Sequence, residues 1–148
     1  MEIAHIAGYV VEYDREATQA AYAQFSVPEP ENCGCWYCQN WVAGRDDLVN
    51  DDVRQLLDRF GIPLKGEIEV WEITKGPNSH SYGGWYFVVG RLLERPVVEQ
   101  NEFAVGGWVM SWSVGESYSM PQFAGKPVIE LQFFIEEVPS FLSEALLT

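Results

Sequence analysis

Residues 82–93 read Tyr-Gly-Gly-Trp-Tyr-Phe-Val-Val-Gly-Arg-Leu-Leu, a stretch that is apolar on both sides of an extended backbone. Alternate positions place on one side Tyr86, Val88 and Leu92, and on the other Trp85, Phe87, Val89 and Leu93. A strand that is apolar on both faces is typical of the interior of a sheet, because both faces are then covered. We therefore predict that residues 82–93 form a central strand.

Four more segments have the β-branched or alternating pattern of strands. They are residues 3–13, 67–73, 103–114 and 128–137. The strands of the second half follow one another through short links with no helical segment between them. This order favours antiparallel pairing and an α+β fold, because a parallel sheet would need alternating strands and helices.

Helical patterns lie in the first half of the chain. Residues 15–25 are rich in alanine and follow Asp14, a typical N-cap residue, and a further helix is expected to begin near Cys35. In residues 51–60 apolar side chains recur at helical spacing, and Gly61 suits the helix end. We predict one α+β domain over residues 1–148, with about five mostly antiparallel strands and two or three helices packed on one face.

The charge of the chain excludes several classes of protein. Its 148 residues include 9 Lys and Arg against 22 Asp and Glu, giving a formal net charge of −13, and the basic residues form no patch that would attract nucleic acid. The sequence has neither a secretory signal pattern nor a run of about 18 apolar residues. Its three cysteines lie too close together for a disulfide framework. We expect a cytoplasmic protein that binds neither nucleic acid nor membrane.

The chemistry of the sequence is concentrated in residues 31–41, where three cysteines follow the spacing C-x-C-x-x-C. If a helix begins near Cys35, Cys35 and Cys38 lie on one face at its N-terminus, which favours their thiolate forms. Cys33 is separated from them by a glycine that permits a tight turn. We therefore expect the Cys35 and Cys38 side chains to point inward on the same side, with Cys33 close to them.

Three interpretations of this cluster stay open. Cys33, Cys35 and Cys38 are candidate zinc ligands, with His5 or His80 as the fourth ligand. The C-x-x-C pair is alternatively a redox dithiol with Cys33 as a third exchanging thiol, although no parallel βαβ pattern flanks it. In the third interpretation the thiols pack as small apolar groups where a loop enters a helix.

The chain resembles a family of small uncharacterised bacterial proteins. The residues that carry the resemblance are Cys33-x-Cys35-x-x-Cys38-x-Asn40-Trp41, the helix end at residues 56–62, Glu69-Val70 and residues 82–90. It covers about residues 30–94, with a weaker echo at 130–141. The resemblance implies a bacterial cytoplasmic protein and assigns no activity.

Two further residues are candidates for binding. Trp71 shares a strand face with Glu67 and Glu69, so we expect it to project to a surface or to a partner. His80 lies in a polar loop pattern and is the candidate for proton transfer or binding, with a solvated loop histidine as the alternative. His5 lies in an apolar strand pattern and is expected to be a hydrogen-bonded core residue.

Together these patterns predict a non-catalytic domain that binds a protein or a small molecule and contains a structural cysteine cluster. The alternative is a thiol oxidoreductase or a zinc-binding protein that uses the C-x-C-x-x-C segment. No cofactor is expected unless zinc binds to the cysteines. A homodimer is expected, because helices on one face of the sheet leave an apolar surface open.

Overall fold

A computed structural model describes residues 1–25, 29–74, 79–97, 101–115 and 120–147. In these ranges the strands are β1 (Glu2–Ile6), β2 (Tyr9–Tyr13), β3 (Glu69–Thr74), β4 (His80–Glu94), β5 (Phe103–Val105), β6 (Trp108–Val114) and β7 (Val128–Val138). The α-helices are α1 (Arg15–Tyr22), α2 (Glu29–Asn32), α3 (Trp36–Leu48) and α4 (Asp51–Phe60). Short 3₁₀ helices span Pro121–Phe123 and Glu144–Leu147. No helix in these ranges is long and apolar enough to cross a membrane.

The strands form one antiparallel sheet in which β4 is central. Their order is β1-β2-β4-β7-β6-β5, and β3 pairs with β4 outside this path. One edge of β4 pairs with β7, whereas the other edge pairs with β3 near its start and with β2 near its end. The predicted α+β class and the central position of residues 82–93 are confirmed.

Within the described residues the sheet has seven strands where the sequence predicted about five, because two of the predicted strands are hairpins. Residues 3–13 turn back at Ala7 and Gly8, whose φ angles are 48° and 87°. Residues 103–114 turn back at Gly106 and Gly107, with φ angles of 55° and 84°. Two successive positive φ angles are what a two-residue hairpin turn with the right twist needs, so each long apolar run is split at its glycine.

Helix α4 spans the predicted residues 51–60. The Asn50 side chain accepts a hydrogen bond from the Val53 N–H, and Gly61 ends the helix in the left-handed conformation at φ 80°. Phe60 is fully buried and packs against the rings of Tyr13 and Trp112, with centroids 4.6 and 5.0 Å away. The apolar stripe of α4 therefore anchors the helix on the sheet.

Helix α1 completes the edge of β4 in the gap between β3 and β2. The Phe87 N–H donates to the Tyr22 hydroxyl, which in turn donates to the Phe87 carbonyl, at 2.9 and 3.0 Å. The Val89 N–H donates to Thr18 Oγ1 at 3.0 Å. Side chains of α1 thus satisfy buried backbone groups that have no strand partner there.

The two faces of the sheet differ around β3 and β4. On one face Trp41 of α3 packs against Tyr82 and Phe133, with ring centroids 5.5 and 5.6 Å away. On the opposite face Trp71 and Ile73 are 40% and 47% exposed. Helix α3 therefore covers the face that carries Tyr82, whereas the opposite face is partly open at β3.

Candidate functional site

The cysteine segment lies where α2 is followed by α3. Cys35 is the N-cap residue of α3, and its Sγ accepts a hydrogen bond from the Cys38 N–H at 3.4 Å. The predicted helix start near Cys35 is confirmed. Cys35 and Cys38 are three residues apart at this start, a spacing that brings side chains to one side of a helix.

The three thiols form a compact cluster. Their Sγ atoms all lie within 4.8 Å of one another, and those of Cys33 and Cys35 are 3.2 Å apart. Three sulfurs at the usual Zn–S length of about 2.3 Å from a tetrahedral ion lie about 3.8 Å apart. The observed spacing therefore fits a zinc ion after shifts below about 1 Å.

The sequence predicted that the thiols of Cys35 and Cys38 point inward, but the structure shows that this is true only in part. Cys33 and Cys38 are half-buried, but Cys35 is exposed. The reason is its place at the N-cap, outside the first turn of α3. The interpretation of the thiols as buried packing groups is therefore wrong for Cys35.

The loop that carries Cys33 is fixed by polar contacts on both sides. The Gln39 side chain donates to the Cys33 carbonyl at 2.7 Å. Two residues before Cys33, the carboxylate of Glu31 pairs with the Arg45 guanidinium, at 2.5 Å between Oε1 and Nη1. These contacts hold the backbone of the cysteine loop against α3.

Arg45 also reaches a second carboxylate in the interior. Its Nε lies 2.9 Å from Oε1 of Glu67, and the Arg45 and Glu67 side chains are 2% and 0% exposed. Burial lowers the pKa of Arg45, but Glu31 and Glu67 outweigh that effect and raise it above its ordinary value. Burial raises the pKa of Glu67 to about 7, although the charge of Arg45 opposes this change.

The protonation of Cys38 is set by its burial and by the two neighbouring thiols. Burial raises the pKa of the Cys38 thiol well above its ordinary value, and hydrogen bonds and charges from Cys33 and Cys35 raise it further. Reactive thiols of C-x-x-C oxidoreductases have a lowered pKa instead. The shift at Cys38 is therefore opposite to that of a nucleophilic thiol.

The two residues that follow the cysteines in the motif have structural roles. The Asn40 side chain donates to the Pro139 carbonyl at 3.1 Å and accepts from the N–H groups of Phe141 and Leu142 at 2.6 and 3.1 Å. Trp41 is fully buried. Asn40 thus holds the segment after β7 on α3, and Trp41 anchors α3 in the core.

A pocket of about 250 Å³ adjoins the cysteine cluster at β3. It is lined by Cys35, Tyr37, Cys38, Val70, Trp71, Glu72 and Tyr82. Trp71 is exposed, as the sequence predicted, but its ring lies on the opposite face of β3, against Trp85. The pocket therefore joins the thiol cluster to an aromatic wall and to one carboxylate.

Tyr82 and Glu72 face each other in this pocket because they are register partners across β3 and β4. The Tyr82 hydroxyl donates to the Tyr37 carbonyl at 2.8 Å. Burial is the largest influence on the pKa of Tyr82, and it raises that pKa to about 12. The hydrogen bond from Asn40 lowers the pKa, and the nearby charge of Glu72 raises it. Tyr82 is therefore a neutral ring at physiological pH.

His80 lies behind the pocket rather than in a solvated loop. It is the first residue of β4, is 1% exposed, and its Nε2 lies 3.0 Å from the Ser140 hydroxyl oxygen. Its two ring nitrogens lie 3.7 Å from Glu72 and 3.6 Å from Glu144. The expectation of an exposed loop histidine is wrong, because strand β4 begins two residues earlier than its apolar run.

Neither histidine completes the cysteine cluster. In the described ranges, the group of close metal-ligand atoms at this site consists of the three cysteines alone. His5 is an exposed residue of β1, so its predicted place in the core is also wrong. β1 is the edge strand of the sheet, so one of its faces stays open to solvent.

Sequence reasoning missed the pocket residues Tyr37, Glu72 and Tyr82. Their neighbourhood depends on the register of β3 against β4 and on the position of α3 beside them. The alternation of residues 67–73 contained part of the signal, since it placed Glu72 on the face opposite Trp71.

Comparison of the chain with models of protein families, with curated proteins and with solved structures found no match. The function is therefore inferred from the geometry of the cysteine cluster and its surroundings.

Proposed function

We propose that this protein is a non-catalytic binding domain that holds one zinc ion through Cys33, Cys35 and Cys38. The observation that carries the proposal is the mutual approach of the three Sγ atoms to within 4.8 Å. Thiolates are preferred zinc ligands, and a tetrahedral ion takes sulfur at distances that this cluster accommodates. Zinc would displace the thiol protons, because only thiolates bind the metal.

The backbone around the cluster supports a preformed metal site. Gln39 fixes the Cys33 carbonyl, Glu31 is held by Arg45, and Cys35 caps α3. A site whose ligands are already oriented loses less conformational entropy on binding the metal. The ion would in turn join the loop before α3 to the first turn of that helix.

The fourth coordination position is open in this proposal. Cys35 is exposed, and among the described residues no histidine or carboxylate joins the three sulfurs. Water or a donor atom of a bound molecule would fill the position, as in zinc sites with three protein ligands. In this proposal the domain binds its partner molecule at the metal, beside β3.

Metal analysis of the protein purified without added metal tests the proposal. We expect about one zinc per chain, and loss of that zinc in the single variants Cys33→Ser, Cys35→Ser and Cys38→Ser. His5→Gln is the matched control, because His5 is an exposed possible metal ligand outside the cluster.

Retention of zinc by all three serine variants would refute the proposal. Absence of metal together with rapid reaction of native Cys35 with a thiol reagent would instead favour the thiol oxidoreductase alternative. The cytoplasmic location and the homodimer stay predictions, to be tested by fractionation and by light scattering.

A further inference from the structure

The sulfur atoms of Cys33 and Cys35 are in direct contact. The Cys33 thiol donates a hydrogen bond to Cys35 Sγ, and the two sulfur atoms lie 3.2 Å apart. A disulfide bond holds its sulfur atoms at about 2.05 Å, so these two need to approach by only about 1 Å. Cα atoms two positions apart in a chain lie about 5–7 Å from each other, which overlaps the range that a disulfide bridges. The pair is therefore close to disulfide geometry.

The backbone between the two cysteines permits this approach. A Cβ atom built on Gly34 would meet none of the described residues within 4 Å, apart from its chain neighbours. Glycine also restricts backbone rotation less than any other residue. Cys38 differs, because it belongs to the first turn of α3 and its N–H is bonded to Cys35 Sγ. Cys33 is therefore the thiol that moves more easily toward Cys35.

Cys35 is the member of the pair that an oxidant in solution meets first. It is exposed, whereas Cys33 is half-buried. Among chemically similar thiols, the accessible one is the more susceptible to oxidation, and a second thiol beside it converts the first oxidation product into a disulfide. Cys33 lies in that second position, in contact with the exposed sulfur.

We propose that Cys33 and Cys35 are a modification site for hydrogen peroxide, which joins them in a disulfide and thereby releases the zinc. The release of the metal rests on the proposed function, whereas the disulfide does not depend on zinc. The disulfide consumes two of the three thiolate ligands, and Cys38 alone does not make a zinc site. Oxidation thus removes the metal at which the domain binds its partner molecule.

The reaction has two steps and uses one molecule of peroxide. In the first step the Cys35 thiolate attacks a peroxide oxygen, the O–O bond breaks, and a sulfenic acid and a hydroxide ion form. In the second step the Cys33 thiolate attacks the Cys35 sulfur, the S–S bond forms, the S–O bond breaks, and a second hydroxide leaves. The two sulfur atoms lose two electrons and the peroxide gains them. Two protons from solvent convert both hydroxide ions to water.

The test is a map of the thiols by mass spectrometry after treatment with hydrogen peroxide. Unreacted thiols are alkylated with iodoacetamide, the protein is reduced, and the thiols set free are alkylated with N-ethylmaleimide. We expect N-ethylmaleimide on Cys33 and Cys35 and iodoacetamide on Cys38. Zinc, followed with a chromophoric chelator, should be released in step with the disulfide, and a sample without peroxide corrects for zinc taken by the chelator alone.

Two variants separate the roles of the thiols. Cys38→Ser is the matched control, because it removes the third thiol and keeps the pair, and its disulfide should form within about twofold of the wild-type rate. Cys33→Ser removes the thiol that attacks the sulfenic acid. In this variant dimedone, a reagent for sulfenic acids, should label at least about tenfold more Cys35 than in the wild type.

Two results would overturn the modification site. One is N-ethylmaleimide on Cys35 and Cys38 instead of Cys33 and Cys35. The other is three reduced thiols at a peroxide concentration that oxidises Met1, which is exposed. Zinc analysis before oxidation tests the metal site separately, so a Cys33–Cys35 disulfide in protein that never held zinc would support the modification site and refute the metal site. A disulfide that forms while the zinc is retained would refute the release of the metal.

Discussion

The buried carboxylate of Glu67 should make the stability of the protein fall as the pH rises. Burial raises the pKa of Glu67 from 4.5 to about 7 in the folded chain. Between these pH values the folded protein keeps a proton that the unfolded chain has released. The stabilising effect of this proton is complete below about pH 4.5 and is lost as the pH rises through about 7.

The size of the effect follows from the two pKa values. Each unit of difference corresponds to about 1.4 kcal/mol, so the change from 4.5 to about 7 amounts to about 3 kcal/mol at most. Arg45, 2.9 Å away, keeps its charge over this range, and Tyr22, Tyr86 and Glu31 also face the pair. Between pH 5 and pH 8 we expect the free energy of unfolding to fall by about 2–3 kcal/mol.

Urea unfolding followed by tryptophan fluorescence measures this change. The wild type and Glu67→Gln are compared at pH 5, 6, 7 and 8 with the same reductant and zinc chelator. The difference between the pH dependences of their free energies of unfolding is due to Glu67. Glu69→Gln is the control, because Glu69 is an exposed glutamate two residues further along the chain. Parallel pH curves for the wild type and Glu67→Gln would refute the assignment of the raised pKa to Glu67.

Three substitutions test the packing that positions the site, each by the midpoint of urea unfolding. Asn40→Ala removes the bonds to Pro139 and to residues 141–142 and should cost about 2–4 kcal/mol, whereas an unchanged midpoint would show that these bonds are not needed. Phe60→Ala should cost about 3–5 kcal/mol, since Phe60 is fully buried, and a cost below about 1 kcal/mol would contradict its role as an anchor. Gly44→Ala places a Cβ 2.0 Å from the Phe141 ring and should cost at least about 1–3 kcal/mol; wild-type stability would mean that Phe141 moves freely.

Much of the fold follows from local patterns in the sequence. Residues 50–61 contain cap, apolar stripe and stop signal within one segment, and the observed helix spans Asp51–Phe60 as predicted. Residues 82–93 are apolar on both faces, and β4 is the central strand. The hairpins at Ala7 and Gly106 were missed because an apolar run continues through each turn, so that the pattern of hydrophobicity does not mark the reversal.

The candidate site was predictable only in part. The proximity of Cys33, Cys35 and Cys38 follows from their spacing at a helix start. The pocket was not predictable, because Glu72 and Tyr82 come together through strand register, which depends on packing of the whole sheet. The burial of His80 likewise depends on contacts with residues far along the chain, such as Ser140.

The most direct measurement of the proposed metal site is the absorption spectrum of the protein loaded with Co²⁺ in place of zinc. Cobalt reports both its geometry and its sulfur ligands, because thiolates add charge-transfer absorption to the bands of a tetrahedral ion. We predict a tetrahedral spectrum with thiolate charge transfer that saturates at about one Co²⁺ per chain and that zinc abolishes by displacement. Each single serine variant at Cys33, Cys35 or Cys38 should weaken the charge-transfer absorption. A weak octahedral spectrum that is the same in the wild type and in these variants would contradict a three-cysteine metal site.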